Sequence, residues 1–406
     1  MAAGLYIHIP FCRSRCIYCD FYSTTRLARI EPFLAALHRE IGLSNDSFWH
    51  NQHFATLYLG GGTPSLLSPE HISTLLSVLF DTFTFDSNVE ISMEANPGAL
   101  FMQNVPGYKK AGVNRLTIGV QSFEDNELKF LQRIHSSADA LAALRAARRA
   151  AFDSLGMDLI FGIPGQSLAS WQHTLATAVR ERPEHISLYG LTYEQSTPLW
   201  SRYERGEVSK CEEELEREMF LAGIGLLKEA GYEHYEISNF ALPGFRSKHN
   251  QKYWDSSPFL GLGPSAHSFD GVKRWWNVDD LTVYTKILFD GERPIEDEED
   301  LGLLERIEEL VLLGLRRKEG MSLVEWEELT GVVAAQFIDL LQHRFGAVDR
   351  GEGFFFSPAA NVLTHYKNRL CLTQQGLLLY NTICENIFSL VNKELVNDWR
   401  DRKNKF

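Results

Sequence analysis

Short apolar runs alternate with longer stretches of helical period along the first half of the chain. Leu5-Tyr6-Ile7-His8-Ile9 is apolar and β-branched and stops at Pro10, which predicts a buried strand with a loop at its C-terminal end. Apolar residues at helical spacing over 30–43 predict the first helix. Ala55-Thr56-Leu57-Tyr58-Leu59 predicts the second strand, closed by Gly60-Gly61-Gly62-Thr63-Pro64. Ser68 followed by Pro69 marks a helix start running toward Phe80, because Ser accepts from the free amides of a first turn and Pro has no amide to lose there. The rhythm repeats with strand 89–93 into Glu94-Ala95-Asn96-Pro97-Gly98 and strand 115–120 into Gln121-Ser122-Phe123. Ser137 opens an Ala/Arg-rich helix ending near 151, and strand 155–160 runs into Gly162-Ile163-Pro164-Gly165. A helix over 168–182, a strand over 185–191 and a long helix over 211–230, with Gly231 just past its end, complete six strand–helix units.

Strands separated by helices rather than by hairpin dipeptides predict an α/β fold with parallel βαβ pairing. Right-handed crossovers would wind six such units into an open, partial TIM-type (βα)6 barrel, with functional groups at the C-terminal ends of its strands. This domain is expected over residues 1–232. Residues 233–289, rich in Gly, Ser and aromatic side chains, read as an extension wrapping it. From 290 to 406 Leu/Glu helices take over, predicting a C-terminal, mainly helical domain of winged-helix type with a small β-wing over 345–356.

Composition narrows the partners. With 406 residues, 44% of them hydrophobic and 23% charged, the chain has the make-up of a soluble protein of two domains. Its net charge of -13 and pI near 5.5 argue against nucleic acid, which takes a basic face. No apolar run reaches the ~20 residues of a bilayer span. The chain enters a strand without a charged leader, and its six cysteines show no paired spacing, so a reducing, cytoplasmic setting is expected.

Three of those cysteines, Cys12, Cys16 and Cys19, stand at C-x3-C-x2-C spacing on the loop after the first strand. Three thiolates this close suit a four-iron cluster with one iron left for a non-protein ligand. Zinc is the alternative, with His8 or a distant cysteine as fourth ligand, although zinc sites usually pair two C-x2-C knuckles and no second knuckle exists. Three unconnected structural cysteines are the remaining reading. Cys211, Cys371 and Cys384 stand alone and read as small buried hydrophobes.

The cysteine loop resembles the signature of the radical S-adenosylmethionine (SAM) superfamily. Tyr6-Ile7-His8-Ile9-Pro10-Phe11-Cys12 is similar to the branch that holds the oxygen-independent coproporphyrinogen III dehydrogenases (HemN) and the heme chaperones (HemW). The resemblance implies a radical SAM barrel, a [4Fe-4S] cluster on the three cysteines, and SAM chelating the open iron through its amino and carboxylate groups. An electron from the cluster would then cleave SAM to a 5′-deoxyadenosyl radical. By the same resemblance Gly61, Gly62 and Thr63 hold the methionyl amino group, Tyr6 and Tyr18 lie beside the cluster, and Glu94, Gln121, Arg133, Asp158 and Thr192 contact SAM. The branch is described with two SAM molecules, and the last four match positions at the second. The residue types suit these roles, since carboxylates accept from ribose hydroxyls or ammonium and Arg pairs with a carboxylate. A plainer reading stands beside each: a tight turn for the glycines, which let backbone approach closely, and surface polarity for the others.

Two departures separate the chain from the dehydrogenases. Phe21 stands where they carry a further cysteine, and only eleven residues precede Cys12, so their long N-terminal arm is missing. His249-Asn250-Gln251-Lys252-Tyr253-Trp254 instead matches the H-N-x-x-Y-W pattern of the heme chaperones. The resemblance implies heme here, with His249 as axial ligand and Tyr253 and Trp254 walling the porphyrin over the barrel mouth. A lone histidine is otherwise a satisfied structural residue, and His267 is the next candidate. The expected function is a heme chaperone that carries a SAM-bound cluster and passes heme to an acceptor such as a respiratory cytochrome at the membrane. Oxidative decarboxylation of coproporphyrinogen III is the alternative and is not expected, and cleavage of SAM stays open. Family members are seen as dimers, which leaves a homodimer open.

Overall fold

Leu5, Ile7 and Ile9 are fully buried on one side of the first strand, and Gly4, Tyr6 and His8 alternate with them on the other. That strand, β1 (Ala3–Ile9), pairs in parallel with β2 (His53–Gly61), and the parallel series continues through β3 (Thr84–Ala95), β4 (Arg115–Gln121), β5 (Ser154–Phe161) and β6 (His185–Gly190). The computed structural model describes residues 2–346 and 362–391, so most of the wing expected over 345–356 lies outside the described residues.

Helices cover the outer face. The helix Ile30–Ser44 buries Phe33, Leu34, Leu37 and Ile41 at helical spacing. Pro69–Thr82 starts from Ser68, whose hydroxyl accepts from His71 N while the His71 ring accepts from Ser68 N. Ser136 and Ser167 cap Ser137–Arg149 and Leu168–Glu181 in the same way. The last helix of the series begins at Glu213, after Cys211. A helix over Ala99–Ala111, absent from the sequence reading, completes the third unit.

The segment expected to wrap the barrel supplies short strands to both edges of the sheet, with two helices between them. β7 (Glu233–Glu236) and β8 (Asn239–Ala241) continue past β6, and β9 (Phe259–Leu262), β10 (His267–Phe269), β11 (Lys273–Asn277) and β12 (Ile295–Asp300) continue past β1. The twelve strands run in the order β12-β11-β10-β9-β1-β2-β3-β4-β5-β6-β8-β7. An open six-stranded sheet leaves backbone amides and carbonyls bare on β1 and β6, and these short strands pair with them. Glu296, Asp297, Glu298 and Glu299 keep the outermost strand exposed and charged, which discourages further pairing.

Between β8 and β9 the helix Lys248–Trp254 closes the N-terminal end of the strands. Lys248 N and His249 N donate to Glu90 Oε1 at 3.0 and 3.2 Å, and His249 Nδ1 bonds Thr56 Oγ1 at 2.9 Å. Gly4 and Thr56 are register partners near the starts of β1 and β2, and Glu90 pairs with Thr56 midway along β3, so the helix lies away from the cysteine loop that follows Ile9. The expectation that this segment covers the barrel mouth is corrected accordingly. Its buried polar face finds partners in Glu90 and Thr56.

The chain forms two compact units: Met1–His234 with Ser238–Tyr253 and Ser257–Glu299, and Tyr235–Ile237 with Trp254–Ser256 and Asp300–Phe406. In the second, Leu303–Arg316, Leu323–Thr330, Ala334–Gly346 and Tyr380–Leu390 pack around Val311, Leu315, Trp326, Phe337, Ile383 and Ile387. A three-stranded sheet of Met321–Ser322, Arg369–Leu372 and Leu363–Tyr366 joins them, the helix-and-hairpin arrangement of a winged-helix-like domain. Lys367 and Asn368 form the hairpin turn at φ of 47° and 60°, the left-handed pair that a two-residue turn requires.

Candidate cluster and cofactor site

The cysteine loop is clasped at its base. Thr24 N donates to Pro10 O at 2.7 Å and Cys12 N to Thr24 O at 2.9 Å, so the residues between project as one loop from the end of β1. Cys12, Cys16 and Cys19 are free and half-exposed on it, with Arg13, Ser14 and Arg15 in solvent. Burial pushes the Cys12 thiol up and the Cys19 thiol up to about 11, and the neighbouring thiols raise both further. Among the described residues no group of three His, Cys, Asp or Glu side chains stands in metal-ligating geometry.

The loop joins the strand ends through a chain of polar contacts. Cys12 Sγ lies 3.5 Å from Thr63 Oγ1, and Asn96 Nδ2 donates to that hydroxyl at 2.9 Å. Arg133 Nη2 donates to Asn96 Oδ1 and, at 2.8 Å, to Gly119 O, while Nη1 reaches Cys16 Sγ at 3.3 Å. Arg133 Nε is buried without a partner. Thr63, Arg133 and Cys16 were singled out by sequence. Asn96 was not, since Asn-Pro-Gly after a strand reads as a turn.

Close backbone approach explains the glycines. Gly62 N donates to Ile9 O at 2.8 Å, and a Cβ there would come within 2.7 Å of Phe11 O. Gly61, at φ +103°, places its amide 3.2 Å from Glu94 Oε2. Tyr58 OH donates to Glu94 Oε1 at 2.8 Å. Burial pushes the Glu94 carboxyl up to about 7 and the Asp158 carboxyl up to about 6. Tyr58 and Gly61 hold Glu94 down, Asp158 raises it, and Ser187 with the Arg133 field holds Asp158 down. Glu94 near the end of β3 and Asp158 on β5 are both half-buried.

Gln121 ends β4 on a bulge at φ +70°, a strained conformation for a residue with a side chain. Tyr18 packs against Leu131, Ile160 and Ile163. Tyr6 OH bonds His8 Nδ1 at 3.1 Å, and His8 Nε2 bonds Tyr22 O at 2.9 Å. With both ring nitrogens engaged and burial pulling it down to about 4, His8 is a structural histidine and no fourth metal ligand. Thr192 is exposed on the loop after β6. Cys384 is buried in the second unit as expected, whereas Cys211 and Cys371 are half-exposed.

The heme residues fall elsewhere. His249 is 1% exposed, with Nδ1 on Thr56 and Nε2 2.9 Å from Tyr253 OH, and burial pulls it down to about 3. Both ring nitrogens of His249 are thus hydrogen-bonded to hydroxyls inside the barrel unit. Tyr253 packs edge-on against His249 and Phe259. Trp254 belongs to the second unit, where the Arg316 guanidinium lies 4.4 Å over its ring. His267 is exposed and stacked on Trp276.

The model of the radical SAM superfamily matches residues 6–178, and that of the HemN C-terminal domain matches 301–379. The heme chaperone HemW of Mycobacterium tuberculosis is 34% identical over 388 residues, which cover 95% of this chain and 94% of that protein. The chain belongs to the HemW family. Its relatives of that name in Bacillus subtilis and Synechocystis are 35% and 33% identical, over 93% and 97% of this chain and 97% and 98% of their own. Among solved structures, the coproporphyrinogen III oxidase HemN of Escherichia coli superposes with a TM-score of 0.78 at 23% identity, over 95% of this chain and 89% of that one. This likeness speaks for the fold.

The residues present fit the group the superfamily implies. Three thiols on one clasped loop, with the nearest imidazole already committed, form a three-ligand set that leaves one iron of a four-iron cluster open. Arg133, with an unpartnered buried Nε, and the half-buried Glu94 and Asp158 line the adjoining concave face.

Proposed function

We propose that this protein is a heme chaperone that carries a [4Fe-4S] cluster on Cys12, Cys16 and Cys19 and binds SAM at the strand ends beside it. The observation that carries the reading is the match to relatives named heme chaperone HemW along nearly the whole chain, together with the intact cysteine loop. Bound there, a cluster with SAM on its open iron supplies one-electron chemistry. The chain's own residues do the holding. The Gly61–Thr63 turn presents backbone at close range, Glu94 and Asp158 accept from ammonium or ribose hydroxyls, and Arg133 pairs with a carboxylate. Gln121 and Thr192 join them at one SAM or a second.

Heme is the cargo, passed to an acceptor protein such as a respiratory cytochrome from the cytoplasmic side. Among the described residues no helix is long and apolar enough to cross a membrane. Phe21 in place of a further cysteine supports a chaperone over coproporphyrinogen decarboxylation.

The test offers the anaerobically reconstituted, SAM-loaded protein either heme or coproporphyrinogen III. Heme should bind, give a Soret band and move to an apo-cytochrome, while coproporphyrinogen should remain intact. Protoporphyrinogen formed over several turnovers would replace this reading with that of an enzyme.

A further inference from the structure

The floor of the barrel and the SAM site are linked through one side chain that no motif singles out. The Tyr58 ring stacks on His249 at 5.0 Å between centroids and 27° between planes, and on Tyr6 at 6.1 Å and 30°. His249 is pinned by Thr56 and Tyr253, so the ring beneath Tyr58 has fixed orientation. Above it, the Tyr58 hydroxyl donates to Glu94 Oε1, which leaves Oε2 on Gly61 N.

We propose that Tyr58 is a positioning residue for SAM binding: stacked on the His249 plug, it holds the Glu94 carboxylate in the one orientation that serves the ligand. The inference rests on the SAM-binding reading above. It gives the histidine motif a task at the cluster side of the molecule without ligating any metal, because His249 and Tyr253 set the position of Tyr58, and Tyr58 that of Glu94. A carboxylate held by two donors keeps its remaining lone pairs aimed at one place, and losing one donor lets it rotate.

The groups facing Glu94 are Tyr6 on β1, Tyr58 and the Gly61 amide on β2, Asp158 on β5 and Tyr253 on the plug helix. Burial, with Asp158, raises its carboxyl to about 7, and the Tyr58 and Gly61 donors lower it. The ionised form accepts the most hydrogen bonds, so SAM affinity should fall as pH drops through about 7. Removing the Tyr58 hydroxyl should move that midpoint upward.

Equilibrium SAM binding is measured by calorimetry on the reconstituted cluster protein between pH 6 and 8.5, for the parent, Tyr58→Phe, Glu94→Gln and the double variant. Tyr58→Phe keeps the stacked ring and should bind SAM about tenfold more weakly at pH 7, the value of one hydrogen bond, and stay weaker than the parent at high pH, where Glu94 is ionised in both. Full recovery there would reduce Tyr58 to a pKa effect and overturn the positioning role. Glu94→Gln should lose Glu94's share of the pH dependence, and adding Tyr58→Phe to it should cost nothing further. The Glu94→Gln profile retains the titration of Asp158 and of the ligand's amino group, so the difference from the parent isolates Glu94. A parent affinity that matches the Glu94→Gln profile across this range overturns the inference, as does a Tyr58→Phe protein with the parent's affinity and midpoint. Should the parent bind no SAM, the SAM-site reading itself fails.

Discussion

Arg133 donates to Cys16, Asn96 and Gly119 O while Asn96 reaches Thr63 and Thr63 reaches Cys12, so two of the three cysteines are tied to β4 and to the turns after β2 and β3 through three polar side chains. A cluster seated on that loop inherits a fixed place relative to the concave face. Anaerobic reconstitution should therefore give about four irons per chain, and replacing any one of Cys12, Cys16 or Cys19 with Ala should strip most of them. If the triple Ala variant keeps its full iron and visible absorbance, the cluster is elsewhere. At this scale the thiols stood out by their spacing, and the glycines and Arg133 were singled out through the family resemblance. Asn96 and Tyr58 were not, because an Asn before Pro and a Tyr in a strand carry common local meanings that only their partners across the sheet override.

Glu40 shows how one buried group joins elements far apart in sequence. It sits inside the helix Ile30–Ser44 and accepts from Gly263 N at 2.8 Å, Tyr284 OH at 2.5 Å and Asn277 Nδ2 at 2.5 Å, tying that helix to β9, β11 and Leu281–Phe289. Glu40→Ala leaves three buried donors unsatisfied and should cost about 2–4 kcal/mol, read as a loss in denaturant midpoint with the cluster iron unchanged. A midpoint equal to the parent's would make the hub energetically idle. Sequence reading placed the parallel strands and capped helices where they are, since each carries its own period and start signal. It missed the Ala99–Ala111 helix because Pro106 and Gly107 read as breakers. There Gly107 lets the chain pack on Pro69, where a Cβ would come within 2.5 Å of the ring.

Across the barrel unit as a whole, the plug at one end and the cysteine loop at the other make separable functions. Heme titrations of the parent and of His249→Ala should overlay in affinity and Soret position if the Thr56 and Tyr253 hydrogen bonds keep both His249 nitrogens engaged, while SAM affinity should drop. A blue or red shift of the Soret band with weakened heme uptake in His249→Ala would restore the histidine as heme ligand. The sequence by itself determined the parallel α/β core, the cysteine set and its family, because periodicity, caps and thiol spacing are local properties of the chain. Only the tertiary structure decided that the 233–289 segment lies as strands at both edges of the sheet and that the His-Asn motif faces the floor. Strands of three to five residues carry little period of their own, and which end of a barrel a helix closes depends on partners such as Thr56 and Glu90 that lie far away in sequence.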